Sequence, residues 1–171
     1  MIWDKLTYDE FGWQGSTTLM FGGKPCQVAL EIQCEEDEPI SEAQKQSYSQ
    51  FIKKWQSLEQ PMLEALLRYY NEEERFSYGP DDPEENAAWW PEIDTPEAMA
   101  QAVTPEMMVV PEDFVHDEGR RIALLFSRIW GGEDLDDNGV AVTFLDENIL
   151  FIFFSFLFYY LILNQIITTN T

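Results

Sequence analysis

The chain has few positively charged residues: its 171 residues include 10 Lys and Arg against 32 Asp and Glu, and the formal net charge is -22 at pH 7. A net charge of this sign repels phosphate backbones, which argues against direct binding to nucleic acid. The same electrostatic field attracts a basic protein and orients it during its approach. The charge therefore predicts a cationic protein partner, and the alternative is that it serves only solubility.

The chain also has little of what most catalytic and metal sites use. His116 is the only histidine, so a site that needs two or more imidazoles cannot be built. No G-x-S-x-G elbow is present, and Gly22-Gly23-Lys24 lacks the spacing of a phosphate-binding P-loop. Any enzyme made from this chain would have to work with carboxylates. We therefore expect a protein that is not an enzyme and that carries no cofactor.

The chain has only two cysteines, and its N-terminal residues do not resemble a secretory signal. Cys26 and Cys34 are the only cysteines, and eight residues of extended strand would separate them by about 26 Å. A disulfide needs Cα atoms within about 7 Å of each other. The N-terminal residues MIWDKLTYDE place acids where a secretory signal has basic residues and an apolar run. These features predict a cytoplasmic protein.

The N-terminal half contains signals for a hairpin and two helices. Thr17 to Phe21 and Cys26 to Ile32 read as strands around a Gly-rich turn, with alternate apolar residues on one face. Ser41-Glu42-Ala43-Gln44 fits a capping box and predicts a helix from about Glu42 to Trp55. Pro61 suits the first turn of a second amphipathic helix, whose apolar stripe is formed by Leu63, Leu66, Leu67 and Tyr70.

The C-terminal half alternates between irregular and strand-like sequence. Residues 71–97 are dense in Pro, Gly and acids, which predicts a long irregular excursion. Met107 to Val110 predicts a short strand, and alternating apolar residues in 120–130 and 139–148 predict a second hairpin. The fold class that follows is α+β: an antiparallel sheet from the N- and C-terminal hairpins, with two amphipathic helices packed on one face. We expect one domain over residues 1–148.

Two stretches are candidates for partner binding. Trp89 and Trp90 lie within the acidic excursion, where exposed indoles would serve as interface anchors; the alternative is that both rings fold back onto the core. The second stretch is the acidic connection that follows Trp130. Its candidate residues are Trp130, Glu133, Asp134, Asp136 and Asp137.

The same acidic connection resembles the opening of a calcium loop. Asp134-Leu135-Asp136-Asp137-Asn138-Gly139 matches D-x-[DN]-x-[DN]-G, but position twelve is Leu145 instead of Glu, and strands flank it instead of helices. The preferred interpretation is a polar turn, because Asn-Gly readily adopts positive φ values. A divalent-metal site on Asp134, Asp136 and Asn138, or a carboxylate-based hydrolase that includes Glu133, is the alternative.

The last 23 residues, 149–171, contain no charged side chain. Residues 149–167 approach the roughly 20 residues that a helix needs to span a bilayer, but polar residues interrupt the far end and no Lys or Arg flanks it. A buried strand over Ile149 to Phe156 beside Val140 to Phe144 is a second interpretation, and an aberrant extension is a third. Membrane association through residues 149–167 is therefore the alternative to a cytoplasmic location.

Several of these motifs together resemble an uncharacterised bacterial family, a domain of unknown function. The resemblance covers roughly residues 8–148 and includes ISEAQKQSYSQF and GRRIALLFSRIWGGEDLDDNGVAVTF. The positions that carry it are Gln44, Tyr48, Phe51, Trp130, Glu133, Gly139, Val140 and Val142. The chain departs from the family in two places: the segment from Trp130 to Gly139 is longer and lacks the usual histidine, and the tail replaces the expected final strand.

The resemblance also carries a functional implication. The family has no established activity, but it is similar to the small acidic proteins encoded near secreted bacterial toxins, many of which act as immunity proteins. It therefore implies a non-enzymatic inhibitor of a toxin, in agreement with the basic partner predicted from the charge. The alternatives are the carboxylate-based hydrolase or metal binder and a tail-anchored membrane protein; no oligomeric state is predicted.

Overall fold

A computed structural model describes residues 2–34, 38–79, 81–112, 119–131 and 139–154. These residues form a seven-stranded sheet in the order β1-β2-β3-β4-β5-β6-β7. The strands are β1 (Thr7–Asp9), β2 (Gly12–Phe21), β3 (Lys24–Ile32), β4 (Val103–Val110), β5 (Arg121–Arg128), β6 (Val140–Leu145) and β7 (Asn148–Phe154). Neighbours pair antiparallel except β3 and β4, which run parallel. With the helices described below, this arrangement confirms the predicted α+β class.

Both predicted strand pairings are present. Strands β2 and β3 form a hairpin in which Phe21 pairs with Lys24, so Gly22 and Gly23 alone make the turn. Their φ values are +56° and +75°, which glycine adopts without the steric cost of a Cβ atom. Strands β5 and β6 pair antiparallel, with Phe126 opposite Val140. The predicted strand at Met107 to Val110 is the second half of β4.

The two helices predicted from the sequence are one continuous helix, α1 (Glu42–Tyr69), with Pro61 inside it. The predicted capping box is confirmed: Ser41 Oγ accepts from the N–H of Gln44, and the Gln44 side chain accepts from the N–H of Ser41. An interior proline costs about 3 kcal/mol. The helix continues because the apolar stripe runs through that turn, where Met62, Leu63 and Leu66 are buried against the sheet.

Helix α1 lies on one face of the sheet, called here the core face. The hydroxyls of Tyr48 and Thr17 are 2.7 Å apart, which ties the first half of the helix to β2. The Gln44 amide donates to the carbonyl oxygens of Gln33 and Pro111, at 2.6 Å and 3.2 Å, beside the ends of β3 and β4. The helix is thus held by hydrogen bonds at its start and by apolar contacts along its length.

Most of the acidic excursion at residues 71–97 is helical, so the prediction of a largely irregular segment is wrong. A π-helical turn (Tyr70–Glu74) continues from α1 and leads into α2 (Arg75–Tyr78), α3 (Pro83–Trp89) and α4 (Pro96–Ala102). Asp82 and Thr95 cap α3 and α4, and a proline follows each cap at the first helical position. Proline is favourable there because that N–H has no partner within the helix. Pro83 and Pro96 therefore indicate helix starts and not loops.

The tail begins as a strand. Asn148–Phe154 forms β7 and pairs antiparallel with β6, which is the strand interpretation offered for the start of this segment. The tail itself therefore supplies the final strand that the resemblance expected to be replaced. Residues 155–171 lie outside the described part of the chain. Among the described helices, none is long and apolar enough to cross a membrane.

The turn between β6 and β7 is an electrostatic junction. Asp146 and Glu147 adopt φ values of 48° and 61°, which are unfavourable for residues with a Cβ atom. The Glu147 carboxylate accepts from Arg120 Nε and Nη2, both at 2.9 Å, and from Lys54 Nζ of α1 at 2.6 Å. The Arg120 hydrogen bonds lower the pKa of Glu147 to about 2, and burial opposes that shift. These ion pairs offset the backbone strain and join α1 to the turn.

Replacing Glu147 by Gln tests this junction. We expect Glu147→Gln to lower the free energy of unfolding at pH 7 by about 1–2 kcal/mol, because charge-assisted hydrogen bonds with partly exposed partners are lost. The folded pKa of Glu147 lies below the value of 4.5 of an unperturbed glutamate. The difference between the two proteins should therefore be full above pH 4.5 and shrink as the pH falls towards about 2.

Urea unfolding at several pH values measures this difference. Glu42→Gln is the matched control, since the Glu42 ion pair with Lys45 is exposed and contributes at most a few tenths of a kcal/mol. A Glu147→Gln effect that stayed constant over the acid range would contradict the assignment.

Candidate functional site

The acidic helical segment, residues 71–97, is the most strongly charged surface of the described chain. It contains ten acidic residues and one basic residue, Arg75. Nine of the ten carboxylate side chains belong to exposed residues, and Glu74 is the buried exception. Five of the nine exposed acids lie in helices, which hold them on a fixed backbone and make the segment a candidate for contact with a cationic partner.

Exposed aromatic side chains lie among these acids. Phe76 is 87% exposed and Tyr78 is 57% exposed, both on α2, and Trp89 at the end of α3 is 41% exposed. Large aromatic residues surrounded by polar ones are typical anchors of protein interfaces, because they offer much contact area and lose little entropy. The segment therefore combines an electrostatic attraction with three apolar contact points.

A groove of about 570 Å³ crosses this surface next to α3. Its lining is both polar and apolar, and it consists of Arg75, Asp81, Pro83, Asn86, Ala87, Trp90, Pro91 and Glu92. A cleft of similar size, about 590 Å³, lies between the β2–β3 turn and α4. There Glu59 Oε1 accepts from the N–H of Gly22 at 2.6 Å, so this carboxylate stabilises the β2–β3 turn. The lining residues Arg75 and Trp90 of the groove beside α3 are the chain neighbours of the exposed Phe76 and Trp89.

The three tryptophans named from the sequence lie close together in the structure, but they differ in exposure. Trp90 and Trp130 are 2% and 3% exposed and belong to the core. Tyr70 lies between them, stacked on Trp90 at 6.3 Å and tilted against Trp130 at 4.6 Å between ring centroids. The N–H of Gly131 donates to the carbonyl oxygen of Trp89 at 2.9 Å. Of the three, Trp89 is the one exposed to a partner.

A buried ion pair underlies this cluster. Arg128, at the end of β5, pairs with Glu74 in the π-helical turn, and both side chains are almost completely buried. The Arg128 guanidinium also lies 5.6 Å from the ring centre of Trp130. Burial lowers the pKa of Arg128 to about 10, which still leaves it charged at neutral pH. The pair fixes the acidic helical segment to the end of the sheet.

Sequence reasoning did not identify this pair. Glu74 is the third of three successive glutamates, and nothing in the local pattern distinguishes the buried one from its exposed neighbours Glu72 and Glu73. A π-helical turn shifts the helical register by one residue, which is what directs Glu74 inward. The one available signal was Arg128, a charged residue that ends an apolar strand.

The remaining predicted residues lie outside the described part of the chain. They are Glu133, Asp134, Asp136, Asp137 and Asn138. Among the described residues, no group of three or more His, Cys, Asp or Glu side chains could hold a metal ion. Cys26 and Cys34 are free thiols.

Residues 2–152 match the model of a family described as a domain of unknown function, DUF6985. The chain belongs to this family. The DUF6985 match includes the acidic helical segment and ends within β7, so it extends past Asn148, near which the resemblance placed the end of family sequence. No curated protein and no solved structure matches the chain.

Removing one partner of the buried pair should destabilise the DUF6985 domain strongly. We expect Glu74→Ala to lower the free energy of unfolding by about 3–5 kcal/mol, because Arg128 would remain buried without its carboxylate. The double variant Glu74→Gln/Arg128→Met should recover part of that loss, since it removes both charges. Thermal and urea unfolding measure both.

The neighbouring substitution Glu73→Ala is the matched control and should change stability by less than about 0.5 kcal/mol, because Glu73 is exposed. If the double variant lost as much stability as Glu74→Gln and Arg128→Met lose in sum when each is made alone, the two side chains would not act as a pair.

Proposed function

We propose that this chain is a non-enzymatic cytoplasmic protein that binds a basic protein partner through the acidic helical segment. The observation that carries the proposal is the exposure of Phe76, Tyr78 and Trp89 among the nine exposed carboxylates of residues 71–97. Carboxylates attract and orient a basic partner, and the aromatic rings provide the area that must be desolvated for tight binding.

Two features of the segment support this role. The backbone carbonyl of Trp89 accepts the hydrogen bond from Gly131, and its neighbour Trp90 is fixed in the core, so the backbone that carries the exposed indole loses little freedom on binding. Gly131 is also the last described residue before the acidic connection that contains Glu133, Asp134, Asp136 and Asp137. The proposed binding surface includes that connection, as the sequence predicted.

The partner that we propose is a bacterial toxin, which the chain would inhibit as an immunity protein. This step rests on the resemblance to small acidic proteins encoded near secreted toxins and on the charge of -22, which suits a strongly basic target. Inhibition by an acidic protein requires contact with the target and no catalytic group of its own.

The proposal is tested with the full chain and each strongly basic protein encoded by a neighbouring gene. Calorimetric titration should give one partner that binds, with an affinity that falls as NaCl rises from about 50 to about 500 mM, because salt screens the charges at the surface. Co-expression with that partner should protect host cells from its toxicity. Absence of binding to every candidate, or an affinity that salt does not weaken, would contradict the proposal.

Reversing the charge of two carboxylates tests whether the acidic helical segment is the binding surface. Glu84→Lys/Glu85→Lys should weaken binding by at least about tenfold, because two carboxylates that attract the partner become repulsive. The control Glu10→Lys/Glu106→Lys makes the same change in net charge at exposed acids outside the segment, and we expect a much smaller effect. Equal effects of the two pairs would mean that net charge, and not this surface, governs binding.

The aromatic contribution is tested separately. Trp89→Ala should weaken binding by about tenfold or more through faster dissociation, since interface anchors act mainly on the dissociation rate. Phe11→Ala removes an aromatic ring that is 58% exposed elsewhere on the surface and serves as the control. Surface plasmon resonance measures both rates, and an unchanged dissociation rate for Trp89→Ala would remove the indole from the interface.

A further inference from the structure

The sheet has a second apolar face, opposite α1. Val109, Ala123 and Ala141 have 0% exposure there, and Leu125 is also buried. Met107 and Phe153 pack against them at the edges of this group. These six residues, called here the second-face cluster, come from four adjacent strands, β4 to β7, so the cluster crosses half of the sheet.

The described helices do not account for this burial. All members of the second-face cluster belong to strands, whereas the core-face cluster includes Tyr48, Phe51 and Leu66 of α1. The sheet separates the two clusters, since side chains alternate between its faces. A valine or alanine on an uncovered sheet face keeps contact with water, so complete burial requires chain packed over it.

Composition restricts which part of the chain can provide that cover. Apart from the single residues Met1 and Pro80, the stretches beyond the described ranges and before β7 are 35–37, 113–118 and 132–138; all three are short and each contains at least three acids, with Phe114 and Val115 as the apolar pair in the second. Placing their carboxylates on an apolar surface without partners would be costly. The remaining stretch, residues 155–171, contains ten apolar or aromatic side chains and no charge. It is the one stretch whose chemistry matches the second-face cluster.

Its point of attachment and its length also fit. It follows directly from β7, whose residue Phe153 is already part of the cluster. Seventeen residues can reach about 56 Å at roughly 3.3 Å per residue, whereas four strands span about 14 Å at roughly 4.8 Å between neighbours. A second copy of this chain is a poorer occupant, because two molecules that each carry a charge of -22 repel one another.

We propose that the second face of the sheet is the docking surface of the chain's own C-terminal segment, residues 155–171. The segment completes the fold by covering the second-face cluster, and it is neither a membrane anchor nor a dispensable extension. This proposal does not depend on the partner-binding function, because the acidic helical segment is part of a different surface.

Limited digestion of the full chain with chymotrypsin tests the proposal, since residues 156–163 offer several Phe, Tyr and Leu cleavage sites. Mass spectrometry locates the cuts. We expect cleavage in this segment to be at least about tenfold slower in the native chain than in the chain unfolded by urea that the protease tolerates, because docking hides the sites. Equal rates in the two states would overturn the proposal.

A charge placed in the docking surface should release the segment. Ala141→Asp is expected to raise the cleavage rate by about tenfold or more, while Thr18→Asp, at an exposed position on the same face of β2, should leave it unchanged. Should Ala141→Asp unfold, Ala141→Cys in a Cys26→Ser/Cys34→Ser background replaces it. That thiol should react slowly with a maleimide in the intact chain, and rapid labelling would count against docking.

Two further measurements separate the other occupants. Sedimentation that showed a dimer of the wild type and a monomer of Ala141→Asp would assign the face to a second copy and overturn the proposal. Flotation of the folded chain with vesicles of phosphatidylcholine and phosphatidylglycerol would assign residues 155–171 to a membrane, and it would also overturn the proposal. A monomeric chain that does not float supports docking.

Discussion

The packing of α1 across the core face of the sheet is the interaction on which the other features depend. Its first half contacts β2 through Tyr48, and its second half continues past Pro61 because Met62, Leu63 and Leu66 remain buried. Since the helix does not stop, Tyr70 and the π-helical turn are carried to the end of the sheet, next to Trp130. The acidic helical segment starts from that point, so the length of one helix decides where the most charged surface lies.

The scarcity of basic residues makes the few ion pairs important. Lys54 and Arg120 converge on Glu147, and Arg128 pairs with Glu74. Each of these pairs joins segments far apart in the chain: α1 with the β6–β7 turn, and the π-helical turn with β5. Nine exposed acids are concentrated in residues 71–97, and others, such as Glu10 and Glu106, lie elsewhere on the surface. A chain that carries a charge of -22 thus uses Lys54, Arg120 and Arg128 where two elements meet and leaves most of its acids at the surface.

Features that depend on residues close together in the chain could be predicted from the sequence. Features that depend on packing against distant residues could not. The capping box at Ser41 and the Gly22-Gly23 turn are local signals, and both were identified correctly. Pro61 fits a helix start as well as a helix interior, and only burial of the next turn distinguishes them. Asp82 and Thr95 precede prolines and cap helices, but the surrounding acids suggested a loop. The burial of Trp90 depends on Tyr70, twenty positions away, so the pair Trp89-Trp90 could not be divided into exposed and buried rings.

Strand β5 is apolar on both of its faces in the sequence. That pattern can be assigned to the second face of the sheet only when the whole fold is known. In β5, Ile122, Leu124 and Phe126 face α1, and the residues between them, Ala123 and Leu125, are equally apolar. Strands that are apolar on both faces belong to sheets covered on both sides, whereas alternation with polar residues is typical of sheets with one wet face. Strand β2 has such alternation from Ser16 onward, with Ser16 and Thr18 exposed and Thr17 and Leu19 buried. The chain therefore encodes a sheet whose second face is exposed at Ser16 and Thr18 of β2 and buried at Val109, Ala123 and Ala141 of β4 to β6.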